Sequence, residues 1–298
     1  VTRVLVTGGT GQLATALDAL GRVLGLDMRR AGRPGFDFDR PESIAATVAA
    51  HAPDVVINAA AYTAVDQAEA DREAAFRANR DGPASLAALC RARGARLVHV
   101  STDYVFDGQK GTPYRETDAT APTGVYGASK REGEISVQQA LPDAVILRTS
   151  WVYAATGRNF VRTMLEAGRR RAMLRVVADQ RGCPTLAADL AAAILRIVTA
   201  PSWQGGLFHA CGSGEASWHD FACAIFDRAA LHGLKRPDVQ PIGTADWPTA
   251  ARRPLNSRMN CALLQSTFGF TLPQWTDSLP STVDAIMTAT RGTGAPTA

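Results

Sequence analysis

The segment Val4–Ala14 constrains this chain more than any other. Val4-Leu5-Val6 is a short apolar run with strand character, Gly8, Gly9 and Gly11 follow it, and an amphipathic helical stretch extends from Gly11 to about Leu24. A strand that passes through a glycine loop into a helix is the setting of a dinucleotide site. Its glycines let the backbone approach a pyrophosphate, and the helix N-terminus offers amide donors and positive potential. The spacing T-G-x-x-G-x-x-A is one residue wider than G-x-G-x-x-G, and Ala14 takes the third position, where a small side chain lets helix and strand pack closely. Gly8, Gly9, Thr10, Gly11, Gln12 and Leu13 are the expected pyrophosphate residues.

The rhythm continues. Apolar strands are predicted near Leu26–Met28, at Asp54–Asn58, Arg96–Val100 and Ala144–Arg148, with helices near Ile44–His51, Arg72–Arg93 and Tyr126–Ala140 between them. Strands apolar on both faces and separated by helices form a parallel sheet covered on both sides. The fold class is therefore α/β, a Rossmann-like doubly wound parallel sheet with a smaller C-terminal α/β lobe. The division expected is 1–150 for the dinucleotide-binding domain and 151–298 mainly for the substrate lobe, with later segments such as a strand at Gly206–His209 able to rejoin the first sheet. Helices are predicted at Phe160–Arg171, Leu186–Val198, Trp218–His232 and in the last thirty residues, interrupted by the proline-bearing stretches Arg236–Pro241 and Asp246–Pro254. The small, polar tail Arg291–Ala298 is expected to fray.

Composition excludes several classes. With 46% hydrophobic and 20% charged residues over 298 positions, the chain has ample core material and is neither disordered nor fibrous. No apolar run reaches the length of a membrane span. A leader segment is not expected ahead of Val1-Thr2-Arg3-Val4, and cytoplasmic residence is. Cys90, Cys183, Cys211, Cys223 and Cys261 are odd in number, widely spaced and without a C-x-x-C pair, which suits reduced, buried thiols. The net charge of +4 is modest, and the one basic cluster, Arg169–Arg171, ends a helix without interleaved aromatics, so nucleic acid is not an expected partner.

Two further motifs carry chemistry. Tyr126 and Lys130 are four residues apart, which on a helix places phenol and ammonium on one face. A nearby cation favours the phenolate, so the pair can exchange a proton with a carbonyl oxygen while hydride moves on the carbon. Ser101-Thr102-Asp103 falls at the end of the fourth strand, where ligands of a parallel sheet bind. Ser101 reads as a strand cap, and Thr102 as the hydroxyl that bonds a substrate carbonyl. An acidic residue ending the second strand would favour NAD. Here Met28-Arg29-Arg30 and Arg33 follow Asp27, a cationic tip that points to the 2′-phosphate of NADPH, with NADH as the alternative.

In this order the motifs resemble the extended short-chain dehydrogenase/reductase superfamily. Asn58–Asp66, Ser101–Gly108, Tyr126–Lys130, Arg148–Tyr153, Asn159-Phe160, Asp179–Thr185 and Arg253–Ser257 narrow the resemblance to the dTDP-4-dehydrorhamnose reductases, over about Val4 to Trp275. The resemblance implies NADPH-dependent reduction of the C4 ketone of dTDP-4-dehydro-6-deoxy-L-mannose, the last step of dTDP-L-rhamnose formation. Tyr126 becomes the proton donor, Lys130 its activator and the holder of the nicotinamide ribose, and Thr102 the partner of the C4 oxygen. Asp37, Phe38, Ala59, Ala60 and Ala61 line the cofactor site. Thr63 and Val65 lie near the reacting sugar, and Trp151, Asn159 and Arg253 on the sugar-nucleotide side, where the guanidinium fork suits phosphate oxygens.

Some members of that family dimerise around Mg²⁺ held by glutamates, one of them early in the first helix. Here Gln12–Leu17 carries no carboxylate and Ala188 stands where another ligand would be sought, so no structural Mg²⁺ is expected, and the chain is expected to be a monomer or a metal-free homodimer. His209, Cys211 and His219 lack zinc spacing and read as packing residues. Two other functions fit the same scaffold. A sugar-nucleotide epimerase or dehydratase regenerates its cofactor, and a dehydratase would want an Asp-Glu pair after the threonine, whereas Asp103 is followed by Tyr104. A non-catalytic regulatory subunit would not need Thr102, Tyr126 and Lys130 intact.

Overall fold

The computed structural model describes residues 1–292; of the tail 291–298 expected to fray, 293–298 lie outside the described residues. Six strands, β1 (Arg3–Thr7), β2 (Asp27–Ala31), β3 (Val55–Asn58), β4 (Arg96–Thr102), β5 (Val145–Thr149) and β6 (Gly206–His209), form one sheet in the order β6-β5-β4-β3-β1-β2. Every pairing is parallel. The chain leaves β1 toward β2 on one side and β3 on the other, so the sheet's switch point, where doubly wound folds bind ligands, lies at the C-terminal ends of β1 and β3.

Strand alternation supplies both cores. Val4, Val6 and Ile57 pack with Leu17 and Ile194 from the helices Gln12–Val23 and Ala187–Val198. Leu5, Val56, Leu97 and Ile146 face the other way, against Val48, Leu86 and Val137 of Pro41–His51, Gly82–Arg93 and Val125–Ala140. Each such side chain contributes roughly 1.5–3 kcal/mol of burial free energy. The segment Ala187–His209 thus returns to the first layer, while Tyr153, Val161, Phe221, Ile225 and Leu279 build a separate core for the second lobe.

Three elements differ from the sequence reading. The second strand is Asp27–Ala31, because its register pairs Arg3 with Asp27 and Thr7 with Ala31, and Met28 is buried against Gly21, where a Cβ would meet its sulfur at 2.3 Å. Asp27 therefore opens this strand, where the expected Leu26–Met28 had it in the middle. Arg72–Arg93 is interrupted by a π turn at Arg77–Asp81. Pro83, near the start of the next helix, has no N–H to give to the residue 79 carbonyl, which is one cause of a widened turn. Asp238–Ile242 is a strand despite Pro241: it pairs in parallel with Met173–Val177 alone, leaving an edge that tolerates a missing N–H.

Candidate active site

The glycine loop forms at the switch point. Gly8 has φ +104°, and a Cβ there would stand 3.0 Å from the Ala59 carbonyl oxygen, so only glycine lets the ends of β1 and β3 approach this closely. Thr7 donates to Asn58 Oδ1 (2.6 Å), Ala60 N donates to Thr7 Oγ1 (3.2 Å), and Asn58 Nδ2 lies 2.9 Å from His99 Nδ1, which ties three strand ends together. The helix Gln12–Val23 starts from Gly11 with no side-chain cap and no acidic residue in its first turn, leaving its amides to an anion.

A cleft of about 980 Å³ opens over this loop. Gly8, Gly9, Thr10, Gly11, Gln12 and Leu13 line it at one end with Asp37 and Phe38; Ala59, Ala60, Ala61, Thr63 and Val65 follow; Thr102, Tyr126, Lys130 and Trp151 close the other end. Arg30 and Arg33 also line it. They project from the last turn of β2 and the loop beyond, with Arg30 donating to Thr15 Oγ1 (3.1 Å) and Arg33 paired to Asp37 (3.1 Å) and Asp39 (3.0 Å). The cationic tip read from the sequence thus belongs to Arg30 and Arg33, while Arg29 pairs with Asp27 at 3.2 Å near the strand's start.

Tyr126 and Lys130 occupy successive turns of Val125–Ala140. Removal from water pushes the Tyr126 phenol up to about 12, against a hydrogen bond with Thr102. Tyr104, not singled out from sequence, packs edge-on to Tyr126 with ring centroids 5.4 Å apart. Burial brings Lys130 down to about 8, and the Glu134 charge acts in the opposite direction. Its ammonium donates to the Val100 carbonyl (2.6 Å), so in this geometry a strand carbonyl, not the phenol, is its partner. Thr102 donates to Asp103 Oδ1 (2.9 Å) and accepts from Tyr104 N (3.2 Å). Burial pushes the Asp103 carboxyl up to about 6, against hydrogen bonds from Ser257 and Thr102.

Ser101 is more than a strand cap. It donates to Glu134 Oε1 (2.6 Å), and Glu134 also receives Nε and Nη2 of Arg148 (2.8 and 2.7 Å). Asn79, in the π turn, receives Tyr62 N (2.9 Å) and donates to Tyr62 O (3.1 Å) and Ser129 Oγ (2.9 Å), pinning the Ala59–Thr63 loop to the Tyr126 helix. A local signal for these residues existed only in Glu134, four positions beyond Lys130.

At the far end, Trp151 has φ +49°, a strained conformation for a bulky residue. It stacks on Trp218 (centroids 3.4 Å, planes 8° apart), and a Cβ on Gly182 would stand 2.4 Å from its ring. Trp218 Nε1 donates to Gln180 Oε1 (3.2 Å), so the Asp179–Thr185 stretch builds this wall. Asn159 and Arg253 do not line the cleft. Asn159 caps Phe160–Arg170 through Arg162 N (3.1 Å) and donates to Gln12 Oε1 (2.9 Å), linking the second lobe to the phosphate loop. Arg253 pairs with Asp66 (2.5 Å), next to the cleft residue Val65, and its buried Nη1 has no protein partner.

Among the described residues no group of three or more His, Cys, Asp or Glu could hold a metal ion. His219 Nε2 lies 3.0 Å from the Val239 carbonyl, and His209 is buried beside Phe106. No described helix is long and apolar enough to cross a membrane.

Comparison with known proteins places this geometry. The family model "RmlD substrate binding domain" matches residues 2–288. A dTDP-4-dehydrorhamnose reductase of Sinorhizobium fredii is 44% identical over 290 residues, covering 96% of this chain and 98% of its own. A probable dTDP-4,6-dihydroxy-2-methyloxan-3-one 4-ketoreductase of Streptomyces antibioticus is 40% identical over 288 residues, covering 96% of each chain. The crystal structure of the Bacillus anthracis dTDP-4-dehydrorhamnose reductase in complex with NADP superposes with a TM-score of 0.89 at 35% identity, covering 94% of this chain and 98% of that one. The chain belongs to the dTDP-4-dehydrorhamnose reductase family.

Proposed function

We propose that this protein reduces the C4 ketone of dTDP-4-dehydro-6-deoxy-L-mannose to dTDP-L-rhamnose with NADPH. The observation that carries the reading is the placement of Thr102, Tyr126 and Lys130 in one cleft, between a glycine phosphate loop and the Trp151 wall. The loop, the uncapped helix start and the Arg30–Arg33 corner fit a phosphorylated dinucleotide. Bound there, a reduced nicotinamide dinucleotide supplies hydride to the ketone carbon. On this reading residues 1–150 together with Ala187–His209 hold the cofactor, and the remaining C-terminal segments hold the sugar nucleotide.

The side chains manage the proton. A phenol shifted to about 12 is fully protonated at neutral pH, the state a donor to a nascent alkoxide requires. Thr102 orients the ketone oxygen toward that phenol. The phenolate left behind is stabilised by Lys130, one turn along the same helix and protonated below its value of about 8, once its ammonium turns from the Val100 carbonyl. Thr63, Val65, Trp151, Asn159 and Arg253 are assigned to the sugar-nucleotide side, Asn159 by holding the lobe to Gln12.

The test supplies enzymatically made dTDP-4-dehydrorhamnose and follows loss of reduced-cofactor absorbance. Stoichiometric consumption is expected, and an epimerase or dehydratase would show none. Tyr126→Phe is expected to lose about 10²–10⁴-fold in kcat while retaining NADPH affinity. Undiminished turnover by that variant would overturn the assignment of the acid.

A further inference from the structure

Three of the five cysteines, at positions far apart in sequence, meet at a second cavity of about 310 Å³. Cys183 follows Gly182 in the loop against Trp151, Cys211 lies just beyond β6, and Cys261 is the N-cap of the short helix Ala262–Phe268. Cys211 Sγ and Cys261 Sγ are 3.5 Å apart, and Cys211 Sγ also lies 4.0 Å from the Met259 carbonyl. Cys183 and Cys211 are buried at 4% and 2% exposure, and Cys261 is half-buried. The remaining thiols are elsewhere: Cys90 is enclosed in the sheet core, and Cys223 lies 3.7 Å from His219 Nε2.

Nothing in the proposed reduction uses this cluster. We propose that it is an oxidation site, where hydrogen peroxide converts Cys211 and Cys261 to a disulfide. The Cys261 sulfur, the most accessible of the three, attacks the peroxide; its S–O bond forms as the O–O bond breaks, and the first water leaves. Cys211 then attacks the sulfenic sulfur, the S–S bond forms as the S–O bond breaks, and the departing hydroxide takes the Cys211 thiol proton and leaves as the second water. Two thiols are oxidised and one peroxide is reduced. The sulfurs must close from 3.5 Å to about 2.05 Å, a displacement within reach of side-chain rotation.

Two features favour this pair. Cys261 is the least buried of the three and lines the cavity together with Cys211, so a peroxide that reaches Cys261 has the Cys211 sulfur 3.5 Å away. Cys183 itself is the poorer partner for disulfide formation: its carbonyl accepts from Ser150 (3.0 Å) and Thr185 (3.1 Å), which fixes its loop.

The experiment treats the reduced, full chain with limiting hydrogen peroxide, alkylates the remaining thiols and maps peptides without reduction. Loss of two of the five thiols, with a Cys211–Cys261 linked peptide that dithiothreitol releases, is expected. Cys261→Ser should abolish the linkage; serine is a favourable N-cap, so the fold is kept, and Cys261→Ala gives an independent check. Cys223→Ser should leave the linkage intact. Retention of all five thiols, oxidation confined to Cys223, or a linkage between two chains would overturn the proposal.

Discussion

Glu134 and Arg148 face each other through two hydrogen bonds of 2.8 and 2.7 Å, with side-chain exposures of 0% and 3%. Through this pair the helix that carries Tyr126 and Lys130 is fixed to β5, and through Ser101 Oγ to β4 beside Thr102. Charge buried this deeply is tolerated only while it stays paired. Glu134→Gln leaves Arg148 without its counter-charge, and a destabilisation of about 3–5 kcal/mol is expected, read by urea unfolding. The same change removes the charge that holds Lys130 up, so the alkaline limb of the kcat–pH profile should move to lower pH. Unchanged stability would show that the pair does not anchor the helix.

Asp103 gives a pH-dependent term of defined sign. Its carboxyl titrates near 6 in the folded state against 3.8 as the ordinary value, so between these the folded state binds more protons than the unfolded one. Stability from this group is present at low pH and is lost as pH rises through about 6. Relative to Asp103→Asn, wild type should lose about 2 kcal/mol from pH 4 to pH 7 in parallel unfolding experiments. Parallel curves would mean that Asp103 is not desolvated.

Gly182 sets the position of Trp151. In Gly182→Ala the new methyl would lie 2.4 Å from the indole, so the Trp151–Trp218 stack must shift. Overpacking of this kind costs about 1–3 kcal/mol. A lower Tm and a raised KM for the sugar nucleotide are expected, with KM for NADPH unaltered; a change confined to NADPH would place Trp151 at the wrong end of the cleft.

Arg30 and Arg33 line the cleft beside Asp37, and on the proposed reading this corner distinguishes the two dinucleotides. Arg30→Ala is expected to raise KM for NADPH about tenfold, equivalent to ~1.4 kcal/mol, with little effect on NADH. Steady-state kinetics with both cofactors decide it, since an equal effect on both would assign Arg30 to the fold.

The geometry of the glycine loop and of the Tyr126–Lys130 pair was legible because each is local. A glycine run after a strand or a four-residue spacing on a helix fixes geometry within one or two turns of backbone. The second strand was misplaced by a few residues because its ends depend on pairing: Arg3 opposite Asp27 moved Asp27 to the strand's start and left Arg30 and Arg33 at the cleft. The roles of Asn159 and Arg253 were likewise not visible locally, since Gln12 and Asp66, their partners, lie well over a hundred residues away.

The amino-acid order alone determined the α/β class, the glycine loop between strand and helix and the placing of Tyr126 and Lys130 on one helix face, since these follow from periodicity and short-range backbone geometry. Tertiary structure decided which groups meet: Glu134 with Arg148 and Ser101, Asn79 with Tyr62, Trp151 with Gly182, and Cys211 with Cys261. The physical reason is that desolvated polar groups must find partners within about 3 Å, and only the packing of elements distant in sequence brings those partners within reach.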